Sequence, residues 1–130
     1  MPPERFDTEA LSFAGMSQAV RHGDLVHVSG QVALAPGGEL VGEGDIEAQV
    51  RQALANLEAA LAAAGARVED TIKVTCFLLD AAHYPAYAAA KAELFGDSAP
   101  ASTCVVVKGL LDPRMLIEVE AVAATGPAGS

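Results

Sequence analysis

Tryptophan is absent from this chain, and phenylalanine and tyrosine are sparse, so that aromatics make up 5% of its 130 residues. A core must then come from Val, Leu, Ile and abundant Ala. Each Ala buries little apolar area, which leaves room for association of copies to add stability. Basic residues are also few: eight Lys and Arg stand against seventeen Asp and Glu, for a net charge of −9, and no basic run occurs. Nucleic-acid binding relies on Lys and Arg to neutralise phosphates. Nucleic acid and anionic membrane surfaces are therefore excluded as principal partners. No apolar run approaches the roughly 20 residues of a membrane-spanning helix. The opening Met1-Pro2-Pro3-Glu4-Arg5-Phe6-Asp7 lacks the charged-then-apolar order of a signal peptide. These two absences predict a cytoplasmic protein.

Only two cysteines occur, Cys76 and Cys104, both inside apolar, strand-like runs. No CxxC and no Cys/His spacing suggests a metal site, so none is expected. Cys76 reads as a buried thiol acting as a small hydrophobe. Cys104 reads the same way, with a place in a pocket wall as the second reading. His22, His27 and His83 are isolated and read as surface or half-buried residues rather than ligands or bases.

What is present suits one domain over residues 1–130. Residues 1–5 look like a loose start and Thr125–Ser130 like a frayed tail. Met16–Arg21 and Asp24–Ser29 form a strand pair across His22-Gly23-Asp24, a hairpin signal. The second strand ends in Gly30-Gln31 and continues into Val32-Ala33-Leu34. Asp45 caps a helix running to Ala64 and closed by Gly65. In it Ile46, Val50, Leu54, Leu57 and Leu61 form one apolar stripe. Thr71–Leu79 is apolar on both sides, with Ile72, Val74, Cys76 and Leu78 on one face, as in a covered central strand. Asp80 caps a second helix that tolerates Pro85 in its first turn and ends at Gly96. Strands Ser102–Lys108 and Leu116–Ala124 complete the order β-β-α-β-α-β-β. This is an α+β layout, a single mixed sheet with two helices on one face.

The last strand carries the chemistry. Side chains alternate across a strand. Glu118 and Glu120 therefore share one face with Leu116 and Val122, while Ile117, Val119 and Ala121 point to the other. If the helices cover the second set, two carboxylates stand on an uncovered, half-apolar face. Such a face commonly meets another subunit, which predicts an oligomer with glutamates near the junction.

The chain resembles the Rid family (YjgF-type proteins, reactive intermediate deaminases) over nearly its whole length. The resemblance rests on Ser17-Gln18-Ala19-Val20, Val28-Ser29-Gly30-Gln31, Gly44-Asp45-Ile46-Glu47 with Gln49, and Asn56-Leu57. It continues in Ala63-Ala64-Gly65, Val74-Thr75, Phe77-Leu78, Pro100-Ala101 and Ile117 to Ala123. It implies a chorismate-mutase-like fold, a homotrimer with clefts between subunits, and hydrolysis of enamines or imines without cofactor or metal. Glu118 falls on the family's water-positioning glutamate and Cys104 on its pocket cysteine. Three positions depart from the deaminase pattern. Ser102 stands where an arginine grips the substrate carboxylate, Met16 where a tyrosine precedes Ser-Gln, and Ala88 where an asparagine lies in the second helix. Lys108 shares a face with Ser102 but lies about 20 Å away along a strand. Lys73 and Arg114 are on other elements; the sequence leaves open that a neighbouring subunit brings one of them in, and the simpler reading is a pocket shaped for a less anionic or more apolar ligand, with Met16 as a flexible apolar wall.

The expectation is a small-molecule hydrolase for an enamine or imine, acting on substrates other than the usual carboxylate-bearing 2-imino acids. Glu118 would activate water, a carboxylate beside apolar surface being suited to that task. Ser102, Thr103, Cys104, Gly30, Gln31, Met16 and Ala88 would shape one cleft around it. The alternative is a non-catalytic trimer of the same fold that binds a ligand or partner. A ribonuclease is disfavoured by charge, and a Ser-His-Asp reading of Ser102 by the absence of a nearby histidine or a nucleophile elbow.

Overall fold

The computed structural model describes residues 2–126. Eight principal elements follow in order: β1 (Glu4–Phe6), β2 (Ala19–His22), β3 (Leu25–Gln31), α1 (Ile46–Ala63), β4 (Thr71–Leu78), α2 (Tyr84–Phe95), β5 (Ala101–Val106) and β6 (Ile117–Ala124). Short 3-10 turns precede β4 and α2. The six strands form one mixed sheet in the order β1-β2-β3-β6-β4-β5. All neighbours are antiparallel except β4 and β5, which run parallel because α2 carries the chain back across the sheet. The two-helix, one-face layout expected from sequence is the observed one.

The stripe on α1 explains the docking. Val50, Leu54, Leu57 and Leu61 are buried on it, whereas Glu47, Arg51 and Glu58 are exposed. They meet Val26 and Val28 of β3, Cys76 and Leu78 of β4, and Ile117, Val119, Ala121 and Ala123 of β6 in one core cluster. Tyr87 of α2 is fully buried in the same cluster. Asp45 caps α1 by accepting from Ala48 N at 3.1 Å. Arg21 closes the other end, donating from Nη1 to Ala64 O at 3.1 Å and from Nη2 to Thr125 Oγ1 at 2.9 Å. A guanidinium there also suits the negative end of the helix dipole.

Two polar side chains on the buried side of α1 join distant segments. Gln49 donates to Gly42 O and Arg114 O and accepts from Leu116 N at 2.8 Å. Asn56 donates to Val32 O at 2.9 Å and Leu34 O at 2.8 Å. These contacts satisfy backbone groups that would otherwise be buried without partners, and they fix the loops before β6 and after β3.

Four sequence expectations need correction. Glu4–Phe6 is not a loose start but an edge strand paired with β2. Thr125 is anchored through its N–H to Asp24 O at 2.8 Å rather than frayed; residues 127–130, like Met1, lie outside the described residues. Asp80 caps the 3-10 turn through Ala82 N, and α2 begins only at Tyr84. Ile72 does not share the buried face of Val74, Cys76 and Leu78. An irregularity between Thr71 and Lys73 turns it outward, and it is 49% exposed.

Leu57 sits at the centre of the α1–sheet contact and is fully buried. Leu57→Ala is expected to lower unfolding stability by about 2–5 kcal/mol, measured by urea denaturation.

Candidate functional site

The alternation read from β6 holds. Ile117, Val119, Ala121 and Ala123 are buried under the helices, and Glu118 and Glu120 point to the open face. Glu118 is half-buried and Glu120 exposed. What separates the two glutamates is β3. Between Val28, opposite Ala121, and Gln31, opposite Val119, β3 carries one residue more than β6. The extra residue makes a bulge at Ser29-Gly30, a device that often re-aims side chains beside sites. Here it brings Gly30 against Glu118. A Cβ built on Gly30 would overlap Glu118 Oε2 and come within 2.8 Å of its Cδ. Glycine leaves the carboxylate the space that a side chain would take.

Glu118 opens into a cavity of about 350 Å³. Its walls are Leu11, Phe13, Met16, Val32, Leu34, Leu111 and Met115, with Gly30, Gln18 and Gln31 beside the carboxylate. Desolvation by these walls, and then the neighbouring charge of Glu120, hold the Glu118 carboxyl above the usual carboxylate range. No basic residue and no histidine lines this cavity.

Gln18 and Gln31 form a buried amide pair. Gln31 Nε2 donates to Gln18 Oε1 at 2.9 Å and to Ser29 O at 3.0 Å. Ser29 Oγ donates to Ser17 O at 2.6 Å, which locks the bulge to the segment entering β2. Gln18 Nε2 is left buried with no hydrogen-bond partner. A buried amide donor without an acceptor is costly, and this one lies at the wall of the cavity. Gln18 was legible only as part of the family resemblance and not as a site residue.

The residues expected in a single cleft fall into two groups. Gly30, Gln31, Met16 and Glu118 line the cavity. Ser102 and Cys104 do not join them. Parallel pairing sets Ser102 beside Val74 and Cys104 beside Cys76, on the helix-covered side of the sheet. Thr103 pairs with Thr75 and shares the open face with Glu118 and Glu120. It accepts a hydrogen bond from Lys73 Nζ at 2.6 Å. Ala88 is half-buried on α2 and does not line the Glu118 cavity. Within one chain, then, the proposed cleft is two half-sites on opposite faces.

The second half-site holds a cation that sequence reasoning missed. Lys91 of α2 donates from Nζ to Ser102 Oγ at 2.9 Å. It also lies over the rings of Tyr87 and Tyr84, 5.2 Å and 5.9 Å from their centroids. Lys108, Lys73 and Arg114 were the cations weighed from the sequence, and Lys91 was not among them. The signal was available: Tyr84, Tyr87 and Lys91 are spaced i, i+3, i+7, one face of a helix. Beside them, burial and then the adjacent Cys104 thiol push the Cys76 thiol well up, which keeps it protonated and inert. Among the described residues no group of His, Cys, Asp or Glu is arranged to hold a metal ion.

Residues 7–125 match the family model described as Endoribonuclease L-PSP. A RutC family protein of Pyrococcus horikoshii is 43% identical over 109 residues, covering 82% of this chain and 84% of that protein. The 3-aminoacrylate deaminase RutC of Acinetobacter baylyi is 38% identical over 105 residues, covering 81% and 82%. A solved Yersinia pestis structure described as a member of the conserved Rid protein family superposes with a TM-score of 0.88 at 29% identity, covering 95% of this chain and 99% of that one. The chain belongs to the Endoribonuclease L-PSP family, the group that includes the YjgF and Rid proteins. No described helix is long and apolar enough to cross a membrane.

Gly30→Ala is expected to push the Glu118 carboxylate outward toward solvent, because the overlapping atoms are the movable end of that side chain. NMR titration should then find the Glu118 pKa lowered toward the ordinary carboxylate range, with the thermal midpoint little changed.

Proposed function

We propose that this protein hydrolyses a small enamine or imine to a carbonyl compound and ammonia, with Glu118 as the general base. The observation that carries the reading is a half-buried carboxylate at the mouth of an apolar cavity, beside an unpartnered amide donor. Water adds to the electrophilic iminium carbon. As the C–O bond forms, the π electrons move to nitrogen and Glu118 takes the water proton. That proton returns to nitrogen, the C–N bond breaks and ammonia leaves as the C=O bond forms, the Glu118 carboxylate taking the hydroxyl proton and passing it to solvent. An enamine first takes a proton from solvent at carbon to reach the same iminium. Gln18 Nε2 would donate to the water or to the developing hydroxyl. Met16, Phe13 and Met115 would hold an apolar substituent.

The working unit is a homotrimer. Glu118 lies on the open face and Ser102 and Cys104 on the other. A small molecule touching both sets must therefore lie between two chains. Leu25 and Val105, each more than 40% exposed on the open face at 42% and 41%, fit a surface covered by another copy. The deaminase named among the relatives supports this chemistry over ribonucleolysis. So do the net charge of −9 and the absence of histidine from the cavity wall.

The test is ammonia release from freshly generated 2-aminoacrylate and from uncharged imines. Glu118→Ala is expected to reduce kcat/KM by about 10²–10⁴. Equal rates for the two proteins would sink the reading, and binding without turnover in the wild type would favour a non-catalytic member of the fold.

The pH profile gives an independent check. Glu118 works as a base only when ionised, so activity rises with pH through its raised pKa. Glu120 is the second cause of that rise. Glu120→Gln removes the repulsion, and the acid limb of the kcat/KM profile should move to lower pH. The same linkage makes ionisation of Glu118 slightly unfavourable to folding, because its folded pKa exceeds the unfolded one. The stability lost as pH rises through that window should be smaller in Glu120→Gln.

A further inference from the structure

Cys76 and Cys104 are the chain's two cysteines, and both are free thiols. α2 separates them in sequence, but the parallel register of β4 and β5 sets them directly opposite one another. Adjacent strands lie about 4.8 Å apart, within the roughly 4.4–6.8 Å that a disulfide spans between Cα atoms. Both side chains project to the helix-covered face and pack in the same core cluster. Their exposure differs. Cys76 is fully buried, whereas Cys104 is half-buried. A reagent arriving from solvent therefore meets Cys104 first. Burial and then the adjacent Cys104 thiol hold Cys76 protonated, while the Lys91 ammonium opposes both. Cys76 is thus quiet as long as Cys104 is reduced, and Cys104 is the one cysteine it can meet within the chain.

We propose that Cys104 and Cys76 form a dithiol site for hydroperoxides, in which Cys104 is oxidised and Cys76 then closes a disulfide with it. In the first step the Cys104 sulfur attacks the O–O bond of hydrogen peroxide. One oxygen stays on sulfur as a sulfenic acid, and the other leaves as water with the thiol proton. In the second step the Cys76 sulfur attacks the Cys104 sulfur and the S–O bond breaks. The hydroxide leaves as water with the Cys76 proton. The two thiols lose two electrons in all, and the peroxide is reduced to two waters. An accessible cysteine beside a resolving one is the arrangement that makes thiol oxidation reversible. Packing alone does not call for sulfur at both positions, since a small apolar residue would fill the space opposite Cys104. A thiol there keeps the sulfenic acid from going on to sulfinic acid. The bond would tie the edge strand β5 to β4 and take the Cys104 thiol out of the half-site that holds Lys91 and Ser102. Neither sulfur lines the Glu118 cavity, so this site is independent of the reaction proposed above.

The experiment treats the full-length protein with equimolar hydrogen peroxide, blocks the remaining thiols in denaturant, and reads intact and peptide masses. Wild type is expected to lose two hydrogens and both titratable thiols, with Cys76 and Cys104 recovered in one cross-linked peptide pair. Dithiothreitol should restore both thiols. Cys76→Val keeps a small apolar side chain in the core and should leave Cys104 as a sulfenic acid that dimedone traps, and as the sulfinic acid when peroxide is in excess. Cys104→Ser should stay unoxidised at Cys76. Thermal unfolding of the reduced variants, expected near wild type, confirms that the fold is intact, and Cys76→Ala repeats the test with a smaller side chain. The same Cys104 products in wild type and in the Cys76 variants would overturn the proposal. So would cross-links found only between chains, or oxidation of Cys76 in Cys104→Ser.

Discussion

The contact between Gly30 and Glu118 is the constraint on which the site depends. β6 lies inside the sheet, with its helix-facing side committed to Ile117, Val119, Ala121 and Ala123. Glu118 has to emerge on the other side, where an ordinary β3 partner would crowd it. The extra residue at Ser29-Gly30 removes that crowding and the glycine leaves the necessary space. The same bulge is held from behind by Ser29 and by the Gln18–Gln31 amide pair. The acid is thus positioned by backbone geometry rather than by an ion pair, and no cation lowers its pKa. Desolvation is then free to raise it.

The helices contribute to this site from a distance. Asn56 fixes the carbonyls of Val32 and Leu34, whose side chains are part of the cavity wall. Gln49 fixes the backbone on both sides of Met115, another wall residue. Both side chains lie on a face of α1 that is otherwise apolar. Asn56 donates to segments at least 22 residues away, and the bonds of Gln49 reach as far as 67. The stripe of leucines docks the helix, and these two amides set where the loops rest against it.

Much of this was legible from periodicity alone. The i, i+4 apolar spacing of α1 and the alternation in β6 each specify a buried face, so the side on which Glu118 emerges followed directly. Ile72 failed because a bulge changes the alternation, and a bulge leaves no mark in a run of apolar residues. The pairing of Glu4–Phe6 failed because a three-residue edge strand has too little pattern to read. The division of the candidate cleft was hidden for a related reason. Ser102, Thr103 and Cys104 are consecutive, so they must face alternate sides, yet which side Ser102 takes is decided by the parallel register with Val74 and Cys76. Lys91 required one step more, since its meeting with Ser102 depends on where α2 crosses β5.

The Gln18 amide differs from those of Gln49 and Asn56 in what its hydrogens do. Its nitrogen is buried and finds no acceptor among the described residues. A folded domain tolerates such groups only at the expense of its own stability. A molecule entering the cavity with an acceptor facing Gln18 would therefore stabilise the fold as it binds. The cavity would then select by where a molecule carries its acceptor as much as by how apolar it is.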